Sequence, residues 1–335
     1  MTGAPFTYYE FFAGGGMARC GLGDGWRCLF ANDFDAKKAE SYRENWGGDH
    51  LAVGDVWDLS PDRLPGRADL AWASSPCQDV SMAGKRAGLS GARSSAFWGF
   101  WRLIETLDRQ GRAPRLVVLE NVVGLLNSRG GGDFTALCET LARQGWRFGA
   151  VEVDAALFTP QSRPRMFLVL TRDAPAAHLT LPGPAAPFHG HRVVEAQGRL
   201  PQAVRTHWVW WRLAAPPARN QDLGAVFRRM RIENGQQHQR AEVRFDGVAG
   251  CLRTPGGGSS RQMLLVVDGP RVRSRTLSPR EGARLMGLPD SYRLPATQTA
   301  ALHLIGDGVA APVVRHLAEQ LLEPLLLPGA ALAAE

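Results

Sequence analysis

Phe6-Thr7-Tyr8-Tyr9-Glu10-Phe11-Phe12-Ala13-Gly14-Gly15-Gly16 is the stretch on which the fold turns. Aromatic and β-branched residues dominate positions 6–12, which read as a strand. Three consecutive glycines then make a tight turn at its carboxyl end. Glycines at such a place let a ligand approach the backbone closely, although a plain tight turn leaves the same mark. Outward from this point, short apolar runs alternate with amphipathic stretches through residue 172. Strands are expected at 28–31, 68–73 and 115–120, helices at 36–46, 95–110 and 134–144, and a closing pair of strands at 148–153 and 165–171. That alternation predicts an α/β architecture, a mostly parallel sheet covered by helices. Ligands of such sheets bind beyond the carboxyl ends of the strands.

The composition, 44% hydrophobic and 21% charged over 335 residues, fits a globular chain with a sizeable core. No apolar run approaches the roughly 18 residues of a membrane span. Glu10 and the glycine turn stand where a secretory leader would need a basic start and an apolar core, so a cytoplasmic protein without a membrane partner is expected. The five cysteines (Cys20, Cys28, Cys77, Cys138, Cys251) are odd in number and lack zinc-ligand spacing. They favour neither a disulfide framework nor a metal site. The net charge of +7 is uneven: residues 199–284 hold 16 arginines and no lysine against six acidic residues. This is either a solvated basic surface or one that faces phosphates. Residues 174–187, rich in Pro and Ala, read as a linker. The region beyond, to about residue 290, shows little helical periodicity, and helix period returns at 310–326. The predicted organisation is a first domain at 1–180, a smaller irregular one at 181–297, and a helical segment at 298–335 that returns to the first.

The chemistry-bearing motifs fall at predicted strand ends. Ala73-Ser74-Ser75-Pro76-Cys77-Gln78 follows the third strand, on a loop that continues through Ser81, Gly84, Lys85 and Arg86. An isolated cysteine is more often a small core residue than a nucleophile, but one after a proline at a strand end is placed for chemistry. Glu120-Asn121-Val122 ends the fourth strand, where a lone Glu would usually cap a helix. In Gln161-Ser162-Arg163-Pro164-Arg165 the two arginines share a face. They are either a surface pair or a fork for a carbonyl oxygen and a phosphate. Asn32-Asp33-Phe34 ends the second strand, where a carboxylate commonly meets ribose hydroxyls. Gly54-Asp55-Val56 adds a third acidic turn.

In this order and spacing the motifs resemble the DNA cytosine-5 methyltransferases of the bacterial restriction-modification type, over residues 6–172 and 250–322. The longest match is Arg275-Thr276-Leu277-Ser278-Pro279-Arg280-Glu281-Gly282-Ala283-Arg284-Leu285-Met286-Gly287 with the Leu288–Tyr292 continuation, a bracing element in that family. The resemblance implies an S-adenosylmethionine-dependent, Rossmann-like fold with a second, smaller target-recognition domain. It implies Cys77 as nucleophile, with Glu120, Arg163 and Arg165 as catalytic companions. Phe12, Gly14, Gly16, Asp33, Phe34, Asp55, Val56, Pro76 and Asp307 would surround the cofactor. Among these, Phe12 and Phe34 flank the adenine, Asp33 holds the ribose and Asp55 meets the adenine amino group. Gln78, Ser81, Lys85, Arg93, Thr254, Gly257 and Arg261 would contact DNA. The implied reaction is methyl transfer to C5 of a flipped-out cytosine in double-stranded DNA. The implied setting is a monomer near the nucleoid, with room for a companion restriction endonuclease acting on the same site. The chain departs from the family at Asp307, where Asn is common, at Ala310 and Ala311, where Pro is common, and at Ser74-Ser75, where Gly-Phe is commoner. Two other readings stay open. One is an RNA (tRNA) cytosine-5 methyltransferase, whose branch shares these motifs, although its Cys-Phe-Thr motif is absent here. The other is a non-catalytic DNA-binding relative, although Cys77 and Glu120 are both present.

Overall fold

A computed structural model describes residues 6–75, 96–218, 226–228, 231–233, 236–238, 246–253 and 263–327. The first part of the chain runs β1 (Phe6–Phe11), α1 (Met17–Leu22), β2 (Trp26–Asp33), α2 (Ala36–Trp46), β3 (Leu51–Val53), β4 (Leu70–Ala73), α3 (Ala96–Arg109), β5 (Leu116–Val122), α4 (Gly132–Arg143), β6 (Arg147–Asp154) and β7 (Pro164–Thr171). These seven strands form one sheet in the order β3-β2-β1-β4-β5-β7-β6. β7 runs against both β5 and β6, while β1 is parallel to β2 and β4, and β4 to β5. The sheet is therefore mostly parallel, as its alternation with helices predicts.

Side chains alternate between the two faces of each strand, so each strand feeds two cores. Tyr8, Trp72, Val118 and Phe167 face one core, and Tyr9, Phe11, Ala71, Val117 and Leu168 face the other. α3 covers the second face because Phe97, Phe100, Trp101, Ile104 and Leu107 recur at helical spacing and are all buried. Gly99 allows that approach, since a Cβ there would meet Val56 and Trp57.

After β7 come β8 (Thr180–Leu181), α5 (His191–Arg199), α6 (Gln202–Arg205) and β9 (Trp210–Trp211). After the predicted linker the chain first packs on the sheet. Phe148 and Trp208 form a bridge, the Trp211 indole donates to the Gly149 carbonyl (3.1 Å), and Val193 and Ala196 join the second core. α5 escaped the sequence reading because only Val193 and Ala196 of its nine residues are buried. Five further strands follow: β10 (Val226–Arg228), β11 (Arg231–Glu233), β12 (Gln236–His238), β13 (Met263–Asp268) and β14 (Arg271–Thr276). β13 pairs with both β10 and β14, and β11 with β12.

α7 (Pro279–Leu285), α8 (Gln298–Asp307), α9 (Ala311–Leu317) and α10 (Glu323–Leu326) return the chain to the first core, with one π-helical stretch at Ala318–Leu322. The bracing motif is visible in its contacts. Ser278 and Glu281 form a capping box, and Arg275 grips Glu281 through both carboxylate oxygens (2.6 and 2.8 Å), which ties β14 to α7. Among the described residues no helix is long and apolar enough to cross a membrane, and no group of three His, Cys, Asp or Glu residues is placed to hold a metal.

Candidate active site

The strand order reverses direction between β1 and β4, where a crevice opens beyond the strands' carboxyl ends. A cavity of about 500 Å³ lies there, within the range of small-molecule sites. It is lined from the ends of β1, β2, β4 and β5, from α2, from the entry to β7, and from the Gly306-Asp307-Gly308 turn.

One end is built by the glycine turn. Phe12 leaves β1 with φ +58°, in the left-handed region that costs a bulky residue energy, and Gly14 follows with φ +55°. The Gly14 N–H donates to Asp33 Oδ2 (2.7 Å) and the Asp35 N–H to Asp33 Oδ1 (2.8 Å), which fixes the carboxylate at the cavity edge. Burial pushes the Asp33 carboxyl up from the usual aspartate range, and these two N–H donors oppose the shift. Phe12 and Phe34 both line the cavity, and Phe34 is 76% exposed, an apolar ring with a free face. Gly16 lies outside the lining. It seats the turn against Trp46, whose indole donates to the Gly15 carbonyl (3.0 Å), as does the Tyr292 hydroxyl (2.8 Å).

Asp55 and Val56 are also outside the lining. The Asp55 carboxylate accepts the Trp57 N–H (2.9 Å) and caps a short helical turn, while Val56 is buried under α3. Asn32 explains the position of this turn: its side-chain amide donates to the carbonyls of Ala52 and Gly54 (3.0 Å each).

At the other end β4 delivers Ser74 and Ser75. The Trp72 indole donates to Ser74 Oγ (3.0 Å), and the Asn121 amide donates to the Ser75 carbonyl (3.1 Å) and hydroxyl (3.3 Å). Asn121, which sequence reasoning assigned no role, therefore anchors the point where the Pro76-Cys77 loop departs. Pro76, Cys77, Gln78, Ser81, Lys85, Arg93, Thr254, Gly257 and Arg261 lie outside the described residues.

Glu120 lies near the carboxyl end of β5 and lines the cavity, buried, with Arg165 Nε at 3.3 Å from its Oε1. Burial raises the pKa of its carboxyl, and the Arg165 and Arg163 charges oppose the shift. Arg165 lines the cavity and sends a second N–H only to the Pro164 carbonyl (2.9 Å). Arg163 also lines the cavity, but its terminal N–H groups go elsewhere. It is 2% exposed and donates to the carbonyls of Leu252 (2.8 Å), Gly306 (2.9 Å) and Gly308 (2.6 Å). Burial, aided by Arg165, lowers its pKa to about 10. Its guanidinium is committed to bracing the cavity walls, which leaves Arg165 as the arginine beside Glu120.

Two further residues escaped the sequence reading. Gln161 is fully buried and joins three segments: its amide donates to the Leu285 carbonyl (2.9 Å) and its oxygen accepts the Leu252 N–H (3.1 Å). Glu10 lines the cavity at 1% exposure, with no hydrogen-bond partner for Oε2 among the described residues. Burial pushes its carboxyl up to about 8, with Arg19 opposing and Asp33 adding to the shift. Its signal was present in the sequence, an acid inside an aromatic strand immediately before the glycine turn.

The model of the C-5 cytosine-specific DNA methylase family matches residues 6–209 and 214–323. The chain is 27% identical over 344 residues to the Type II methyltransferase M.HpaII of Haemophilus parainfluenzae, covering 96% of this chain and 90% of that protein. It is 27% identical over 326 residues to M.HhaI of Haemophilus parahaemolyticus, covering 95% and 94%. Among solved structures it resembles the S. pombe Dnmt2 methyltransferase, with a TM-score of 0.65 at 18% identity over 96% of this chain and all of that one. It also resembles the Entamoeba histolytica methyltransferase EhMeth, with a TM-score of 0.61 at 13% identity over 94% and 97%. These structural likenesses speak to the fold.

Proposed function

We propose, from the premise that the chain belongs to the C-5 cytosine-specific DNA methylase family, that it transfers a methyl group from S-adenosylmethionine to C5 of a cytosine flipped out of double-stranded DNA, through a covalent bond to Cys77. The observation that carries this reading is one cavity holding both the Asp33–Phe12–Phe34 end and the Glu120–Arg165 end, with Ser74 and Ser75, the residues that precede Pro76 and Cys77 in sequence, in the same lining.

The residues present fit the cofactor. Asp33 offers a fixed carboxylate to the ribose, Phe12 and Phe34 offer rings to the adenine, and the unpartnered Glu10 oxygen suits a ligand carrying cationic N–H donors. When bound, the cofactor supplies an electrophilic methyl group. Asp55 and Val56, which stand away from the cavity, are placed for the adenine edge only if the ligand extends past Phe34.

C5 of cytosine is a poor nucleophile. Attack of the Cys77 thiolate on C6 makes the ring an enamine whose C5 can take a methyl group. Negative charge develops on the ring during attack. A protonated Glu120 at N3 and Arg165 at O2 stabilise it, and the raised pKa of the buried Glu120 favours that protonated form. Loss of the C5 proton and expulsion of the Cys77 sulfur restore the aromatic ring. C5 and C6 are out of reach inside a duplex, so the base must leave the stack at a cost of about a few kcal/mol. We place target recognition in the 181–297 part of the chain, beyond the β9 strand that still packs on the sheet. The arginine excess there supplies the backbone contacts.

Bisulfite sequencing of DNA from a host expressing the protein tests the reading. New 5-methylcytosine at one sequence is expected. Its absence, or methylation confined to RNA, overturns it.

A further inference from the structure

Lys38 on α2 and Asp307 at the end of α8 both line the cavity, 269 positions apart in sequence, with Nζ and Oδ2 2.6 Å apart. Both anchors are held. The Lys38 N–H lies in the α2 cap formed by Asp35. The Asp307 turn is gripped on either side by Arg163, through the Gly306 and Gly308 carbonyls. Gly308 admits no side chain, since a Cβ would collide with the Met17 thioether. The side chains are 25% and 42% exposed, and a pair so open to water contributes little to folding. Its position matters more, because it spans the cavity between the Asp33 wall and the Gly306–Gly308 turn. Asp33 and Asp35 also face the Lys38 ammonium. An aspartate, unlike the asparagine common at this place in the family, gives that ammonium a full charge to hold.

We propose that Lys38 and Asp307 form an ionic latch across the mouth of the cavity, two positioning residues that slow the release of the cofactor. The proposal rests on the S-adenosylmethionine reading above. A ligand seated between Asp33 and the turn leaves only after the pair separates, so the latch acts on the off-rate. Charge pairing rather than contact with the ligand is its basis, which makes it sensitive to salt.

The test measures release of S-adenosylhomocysteine by surface plasmon resonance. Lys38→Met and Asp307→Asn should each speed release about two- to fivefold, the scale of a partly exposed ion pair. Lys38→Met combined with Asp307→Asn should release no faster than the quicker single variant, because both singles break the same pair. Raising KCl from about 50 to 500 mM should speed release from the wild type and leave the single variants nearly flat. The salt series carries the test if a variant fails to fold. Unchanged off-rates, a double variant clearly faster than either single, or weaker binding in Asp307→Asn alone would overturn the latch, the last by pointing to direct contact with the ligand. If the wild type does not bind S-adenosylhomocysteine at all, the cofactor reading itself fails and the latch with it.

Discussion

Replacing Glu120 by Gln separates proton donation from packing. The amide has the carboxylate's size and its oxygen can still accept from Arg165, now 3.3 Å from the carboxylate, so the fold should lose only a few degrees of Tm. What disappears is the transferable proton. A positioned acid is worth about two to four orders of magnitude in rate, which is about 3–5 kcal/mol of barrier. DNA affinity should be largely retained, because Glu120 meets only the flipped base while most affinity comes from contacts with the phosphate backbone. Single-turnover transfer of tritiated methyl groups reports the chemical step, fluorescence anisotropy the binding, and a thermal melt the fold. The pH profile adds a second readout. Burial raises the Glu120 pKa, so the protonated, competent form persists toward neutrality and is lost as pH rises through the folded value. The wild type should therefore show a falling alkaline limb that Glu120→Gln lacks. Undiminished single-turnover rate in a folded Glu120→Gln protein would refute the assignment.

Asp33→Ala should weaken S-adenosylhomocysteine by about 1–3 kcal/mol in calorimetry, since a ligand hydroxyl loses a charged acceptor; unchanged affinity would remove Asp33 from the site. DNA with 5-fluorocytosine at the target should trap the wild type covalently, because fluorine does not leave as the proton does, and a Cys77→Ser protein that still forms the adduct would exclude Cys77 as the nucleophile. Glu281 is held at about 2, chiefly by Arg275, so its contribution is present above the ordinary glutamate range and fades as pH falls toward 2. Glu281→Gln should cost at most about 1 kcal/mol at neutral pH, given the partial exposure of the pair, and the gap in Tm should narrow in acid. Moving residues 216–276 into another family member should carry target specificity along, as read by bisulfite sequencing, and an active chimera with the host's specificity would place recognition elsewhere.

The sheet, the glycine turn and most of the site's strand ends were legible in the chain because they depend on local rules. The aromatic and β-branched run at positions 6–12, the helical spacing from Phe97 to Leu107, and the glycines at positions 14–16 each declare themselves within a dozen residues. Family likeness then attached chemistry to Asp33, Glu120 and Arg165, which share the cavity. Tertiary structure alone decided the rest. Arg163 and Arg165 look equivalent in a strand pattern, yet the carbonyls of Leu252, Gly306 and Gly308, contributed from far along the chain, claim only the first. Asp55 reads as one more acidic turn until its own Trp57 N–H occupies it. The chain past residue 187 carries too few apolar positions to announce α5, and it is Trp208 and Trp211 meeting β6 that keep it on the sheet. The Lys38–Asp307 pair spans 269 residues. Periodicity and turn chemistry report what neighbours in sequence require, whereas partners chosen by burial and charge are set only when the folded chain brings distant atoms within bonding distance.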